Sequence, residues 1–389
     1  MFDFDTLLDR KGTDSTKWDA LSWDYGDSGL LPFWVADMDF KCLPDLDEAL
    51  RKRTVDSTYG YTFASEGYFE SIIGWYARHH NLSIAKQDIV NVPGVLTGMH
   101  MALASLAKRG DRVLINTPVY PPFFDFSENG TYTLLHSPLR KENNRYVFDF
   151  DDIREKLKKG VQFLVLCSPH NPVGRVWEEN ELKEIVRLCD EYETFILSDE
   201  IHGDLVLPGH RHSPILSVSH TARRISLIAS APSKTFNCAG LKSSFLIIQN
   251  EEVRNKVKSM IGKYHLYNNL FALLATRTVY EKGDAWLSEL LAYLYGNAEF
   301  VLNFFDRNIP KIRAYMPEAT YLMWLDFSEY GLSQQELMSR LQNIGRVALN
   351  SGTDFGEEGK GFARFNIGTP RAFLEVGLNG IASAFRDLQ

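Results

Sequence analysis

The chain has 389 residues, 44% of them hydrophobic, and 42 basic side chains stand against 50 acidic ones for a formal charge of −8. That length suits a large core or two packed domains, and the acidic balance argues against nucleic acid, whose phosphates ask for a basic face. No apolar run approaches the ~20 residues of a membrane helix, the acidic start MFDFDTLLDR shows no presequence, and four cysteines without CxxC spacing make a disulfide framework or zinc knuckle unexpected. The expectation is an α/β enzyme of the cytoplasm.

In chain order, the first 45 or so residues resist assignment, although Pro32 and Pro44 flank WVADMDF, a stretch suited to an extended crossing between domains. A helix is expected from near Gly94 to Lys108, with Gly110 closing it as a C-cap. Short apolar runs rich in β-branched residues follow: RVLI (112–115), VQFLVLC (161–167), TFIL (194–197), ISLIA (225–229) and SFLII (244–248). Runs of this length without alternation read as strands buried on both faces. Between the second and third, Leu182, Ile185, Val186 and Cys189 fall on one helical stripe. Strand, helix and strand in so short a span form a βαβ unit with parallel strands. The last third alternates helical stripes at 287–305, 333–344 and 371–386 with β-like stretches at 320–327 and 363–368. The division expected is an N-terminal segment, 1–45, packing with the small domain; a large α/β domain, 46–285, with a mostly parallel sheet; and a smaller α+β domain, 286–389.

Ligands of open parallel sheets gather beyond the carboxyl ends of the strands, and three unusual polar clusters fall there. SPHNPVG presents Asn171 on a turn stiffened by Pro and Gly, SDEIH puts Asp199 and Glu200 at a strand end, and SAPSK brings Lys234 after Ser230 and Ser233. The βαβ argument puts Asn171 and Asp199 on one edge; it does not reach Lys234, because 201–224 shows no clear crossover helix. Singly, each cluster has a plain alternative: a turn, a solvated terminus, a surface charge. Together, a lysine, a carboxylate, an amide and small hydroxyls are what a pyridoxal 5′-phosphate site requires. The amine forms a Schiff base with the cofactor aldehyde and the carboxylate partners the pyridinium nitrogen. The phosphate suits the N–H groups of a helix start, here Gly94, Val95 and Leu96, with Ser230, Ser233 and Lys242 to supply the rest.

NPVG (171–174), SDE (198–200), SAPSKTFNCAGLK (230–242) and ARFNIGTPR (363–371), in that order, resemble the fold-type-I pyridoxal-phosphate enzymes, the aspartate aminotransferase superfamily, over essentially the whole chain. Within it, PFWVADMDF (32–40), YGYT (59–62), TPVYPPF (117–123), SDEIHGDL (198–205) and SKTFNCAG (233–240) resemble the cystathionine β-lyase and cystalysin type of C–S lyase. His202 is the sharpest mark, because many aminotransferases of this fold carry a tyrosine three residues after the pyridinium-binding aspartate. The resemblance implies a seven-stranded-type sheet and α,β-elimination of cystathionine or cysteine-type amino acids to a thiol, pyruvate and ammonia. It also implies a homodimer with shared active sites.

Carried over by position, the resemblance makes Lys234 the Schiff-base lysine and catalytic base, and Asp199 the pyridinium partner. Asn171 would bond the ring's phenolic oxygen, His202 would lie at the cofactor, and Tyr120 would stack on the ring and face the substrate. Gly94, Val95, Leu96, Ser230, Ser233 and Lys242 would lie at the phosphate. Arg364 would clamp the substrate α-carboxylate. Tyr61, with Tyr59 as fallback, would reach the phosphate of a second subunit. Two departures stand out: Lys242 occupies a position where many relatives have arginine, giving a point charge rather than a fork, and Tyr61 to Gly67 is one residue longer than the usual spacing.

Other readings stay open. A pyridoxal-phosphate aminotransferase would use the same motifs. A metal-dependent hydrolase would draw on His202, Asp204, His210 and His212, although HxH in a loop with Pro208 and Gly209 lacks helical spacing. A regulatory protein partner would be an addition to the enzyme. YHLYNNLFALLA (264–275) reads as core, with a dimer or channel face as the alternative.

Overall fold

A computed structural model describes residues 2–388. Seven short strands form the main sheet: β1 Ile89–Val92, β2 Arg112–Ile115, β3 Thr133–His136, β4 Phe163–Cys167, β5 Phe195–Asp199, β6 Ser226–Ser230 and β7 Ser244–Ile247. Their order is β1-β7-β6-β5-β4-β2-β3. All neighbours from β6 to β3 run parallel; β7 runs antiparallel to both β1 and β6.

The alternation along these strands explains their apolar runs. Ile115, Val165, Leu197, Leu227 and Leu246 pack into one core layer, while Leu114, Leu164, Ile196, Ile228 and Phe245 point to the other. Each face is covered by helices, so both sets must be apolar. The helix α1, Glu66–His80, and the helix α2, Val95–Leu106, flank β1. Helix α2 buries Val95, Met99, Ala102 and Leu103 against the first layer. The helix α3, Glu179–Glu191, buries Leu182, Ile185, Val186 and Cys189 against the second, as the stripe foretold. A Leu or Ile buried in this way contributes roughly 1.5–3 kcal/mol.

Three expectations need correction. Helix α2 ends at Leu106, and Gly110 (φ +92°) serves the turn into β2 rather than a C-cap. Strands β1 and β3 were not foreseen: IVNV is broken by Asn91, and TLLH lies at an edge with its ends exposed. The crossover between β5 and β6 exists but is split into two short helices, Ile215–Val218 and His220–Ile225. They meet at Ser219, whose hydroxyl accepts from the Ala222 N–H. Lys234 therefore follows a strand parallel to β5, and Asn171, Asp199 and Lys234 share one edge.

A second, antiparallel sheet holds the strands β8 Leu322–Asp326, β9 Asn350–Ser351 and β10 Phe362–Asn366, with β10 central. Helices Asp284–Asn308, Gln334–Asn343 and Arg371–Ala384 accompany it. The N-terminal segment joins this part: Leu31–Pro32 pairs in parallel with Val347–Ala348. Residues 34–40 then cross to the main sheet's polar edge. They are anchored by a buried cluster in which Lys17 Nζ lies 2.7 Å from Asp39, the Trp18 indole donates to Asp39 at 2.9 Å, and Arg10 spans Asp37 and Asp39.

Candidate active site

The carboxyl ends of β4, β5 and β6 open onto a cavity of about 300 Å³. Helix α2 aims its first turn at the cavity. Gly94 precedes the helix in extended backbone, so the free N–H groups of the first turn, at Val95, Leu96 and Thr97, lie at the wall. Asn171 comes from the turn after β4, where Gly174 (φ +70°) closes back with its N–H on the His170 carbonyl. Asp199 ends β5 and accepts from the Ile201 N–H at 3.1 Å. Ser233 and Lys234 follow β6, and Lys242 precedes β7 in the left-handed region (φ +55°).

Gly94, Val95, Leu96, Tyr120, Asn171, Asp199, His202, Ser233, Lys234 and Lys242 all line this one cavity. Arg364, from the middle of β10, reaches its rim: Nη1 donates to Asn171 Oδ1 at 3.1 Å, and Nη2 donates to the Trp34 carbonyl at 2.8 Å and to Asn350 Oδ1 at 2.7 Å. Because Asn171's oxygen is taken, its amide NH₂ is the group left to offer the cavity. Ser230 is not brought to the wall; it is buried below it, its hydroxyl donating to the Glu200 carbonyl at 3.4 Å. Tyr61 stands fully in solvent, and Tyr59 packs beside Phe271. Sequence reasoning missed Ala36, Thr97, Cys167, Ser243 and Ser244 as lining residues. Thr97 was findable as the third residue of a predicted helix start, and the two serines as neighbours of Lys242.

Burial sets the electrostatics. It raises the Asp199 carboxyl to about 7, with Glu200 adding to the rise. The Lys234 amine falls to about 8, first through burial and then through the Arg364 charge, with Asp37 and Asp199 opposing. Burial likewise lowers Arg364 to about 10. It drops His202 to about 3, helped by the Lys234 and Arg364 charges, so its imidazole is neutral. The His202 Nδ1 and Arg364 Nε atoms are buried with no partner. The site thus offers a carboxyl whose ionisation burial opposes and a neighbouring cation would favour, an amine that is readily neutral, and an unpartnered guanidinium N–H at the rim.

That donor set fits pyridoxal 5′-phosphate. A protonated ring nitrogen would be the missing cation for Asp199, Lys234 is the amine for the aldehyde, and the start of α2 with Thr97, Ser233, Ser243 and Lys242 suits a phosphate. The residues of the metal reading are split: Asp204, His210 and His212 line a separate pocket that His202 does not join. His202 faces the cavity, whereas Asp204 is taken by Trp75, His80 and Thr235, and His212 by Glu200. Among the described residues, no cluster of three or more His, Cys, Asp or Glu side chains is placed to hold a metal.

The sheet order and this site define a class: the architecture is that of the fold-type-I pyridoxal-phosphate transferases, and the chain belongs to the family described as aminotransferase class I and II, which it matches over residues 35–381. More particularly, it is 39% identical to the cystathionine β-lyase PatB of Bacillus subtilis, covering 98% of this chain and 99% of that protein. Protein MalY of Escherichia coli is 33% identical over 99% of each. The structure of cystalysin from Treponema denticola, which contains a pyridoxal 5′-phosphate cofactor, superposes with a TM-score of 0.96 at 32% identity and full coverage of both chains.

Proposed function

We propose that this chain is a pyridoxal 5′-phosphate-dependent carbon–sulfur lyase. It cleaves S-substituted amino acids of the cystathionine and cysteine type, with water, to a thiol, pyruvate and ammonia. The observation that carries the reading is one buried cavity that sets a readily neutralised Lys234 amine, the Asp199 carboxyl and the Arg364 guanidinium around a common space. The likeness to proteins named cystathionine β-lyase and cystalysin supports the choice of reaction.

When bound, the cofactor supplies an electron sink for the pair left at Cα. The chain's own residues do the rest. Arg364 binds the substrate α-carboxylate and so fixes Cα in the cavity. Lys234 removes the Cα proton, for which an amine near neutrality is suited. Asp199 would keep the ring nitrogen protonated. Asn171, neutral His202 and Tyr120 would border the ring, and the start of α2 with Ser233 and Lys242 would hold the phosphate.

The proposal includes a homodimer. Val55, Tyr59, Tyr61 and Phe63 before α1, and Tyr264 and Tyr267 in the turn at 264–267, are large exposed apolar side chains, and exposed apolar surface of this kind is what a second copy covers. From there Tyr61 would reach the partner's phosphate. The division at 46–285 and 286–389, with segment 1–45 joining the latter, is part of the same reading. So is a reducing, cytoplasmic setting, which suits four unpaired cysteines. No helix among the described residues is long and apolar enough to cross a membrane.

Product analysis tests the reading. Chain loaded with cofactor is given cystathionine, cysteine, or an amino acid with a 2-oxo acid. Pyruvate and ammonia in equal amounts with a thiol support the lyase; an exchanged amino group without thiol release favours the aminotransferase.

A further inference from the structure

We propose that Asn366 is a positioning residue for Lys234, acting through the backbone carbonyl of Ala36. The inference rests on Lys234 being the cofactor lysine, as proposed above.

The chain bends at Val35–Ala36, with the Asp37 N–H donating to the Val35 carbonyl at 2.9 Å across a three-residue turn. The Asn366 side chain brackets that turn. Its Nδ2 donates to the Val35 carbonyl and to the Asp37 carbonyl, each at 2.7 Å. Its own Oδ1 accepts from the Gly368 N–H at 2.7 Å, which fixes the orientation of the amide. With both flanking carbonyls held, the Ala36 carbonyl turns to the cavity, where Ala36 forms part of the wall. There it accepts from Lys234 Nζ at 2.6 Å and from the Tyr321 hydroxyl at 2.9 Å.

Asn366 is fully buried, so these bonds meet no competition from water. Its strand neighbour two residues back, Arg364, grips the same strap at the Trp34 carbonyl. Residues two apart on a strand share a face, so β10 presents both the carboxylate clamp and the bracket to residues 34–37. The free amine of Lys234 therefore has a fixed acceptor. Asn366 holds the carbonyls on either side of it, sharing that of Asp37 with Lys17, while Asn237 of the lysine's own loop holds the strap further on, at Met38 and Phe40. A carbonyl acceptor favours the charged amine over the neutral one. The bracket thus sets both where the amine rests and how readily it gives up its proton. Tyr321 competes for the same oxygen.

The test is the pH dependence of Lys234 acetylation by acetic anhydride in the cofactor-free full chain, read by peptide mass spectrometry. The wild-type midpoint is expected near 8. Asn366→Ala frees the turn and should lower the midpoint by about one unit. Tyr321→Phe leaves the bracket intact and removes the competing donor, so its midpoint should hold or rise. A general loss of packing would lower melting temperatures without producing this difference in sign. An unchanged midpoint in Asn366→Ala, or equal downward shifts in both variants, overturns the proposal. Should Asn366→Ala fail to fold, Tyr321→Phe decides alone, and a fall in its midpoint refutes the scheme. Failure of the cofactor reading is seen separately, as an absence of cofactor mass on Lys234 after borohydride reduction of the loaded chain.

Discussion

Asp199 offers the sharpest energetic prediction because the fold alone penalises it. The residue is 5% exposed, and burial moves its carboxyl from 3.8 to about 7. Three units at about 1.4 kcal/mol each put the cost of ionising it in the cofactor-free chain on the order of 4 kcal/mol. The sign follows from proton counts. Below pH 4 the folded and unfolded chains both hold the proton, and the cost is absent. Between about 4 and 7 the unfolded chain releases it while the folded chain keeps it, so stability falls as pH rises. Above 7 the loss is constant. Asp199→Asn removes the charge and retains an oxygen for the Ile201 N–H. Urea unfolding of the cofactor-free chains should therefore show the variant more stable than wild type at pH 8, by up to ~4 kcal/mol, with near equality at pH 4. With cofactor bound the order should reverse, because the wild-type carboxylate then has its cation. A cofactor-free Asp199→Asn chain that is less stable than wild type at pH 8 would refute the claim that this carboxyl is held for a partner.

Three other outcomes follow from the same geometry. Arg364→Lys loses the fork that reaches Asn171, Trp34 and Asn350; kcat/KM for cystathionine should fall roughly 30- to 150-fold, mostly through KM, in steady-state assays. Lys17→Met leaves the Asp39 charge buried with less compensation, and urea unfolding should show a loss of ~3–5 kcal/mol. Mixing Lys234→Ala with Tyr61→Ala subunits should restore more pyruvate release than either alone, since a hybrid dimer would contain one complete site; no gain on mixing would count against the shared site.

Much of the large sheet was legible because its strands are buried on both faces and so spell unbroken apolar runs, as in FLVLC of β4 and SLIAS of β6. IVNV and TLLH were missed because four residues with a polar or exposed member carry too little pattern to separate from loop. The crossover after β5 was hidden for a similar reason: two helices of four and six residues are too short to show a stripe. Strand ends were legible for Asn171, Asp199 and Lys234, and the parallel run of β4, β5 and β6 sets the three at one cavity. Ser230, the last residue of β6, lies off the cavity wall, its hydroxyl turned to the Glu200 carbonyl. Ala36 was out of reach in principle, because its contribution is a backbone carbonyl and its side chain carries no signal.

The chemistry falls on one amine, and peptide mapping after borohydride reduction addresses that directly. Reduction fixes the cofactor to whichever lysine holds it, and digestion with mass spectrometry then locates the added mass. That mass is expected on Lys234, with none on that peptide in Lys234→Ala. Cofactor mass on Lys242 or another lysine, with Lys234 unmodified, would contradict it.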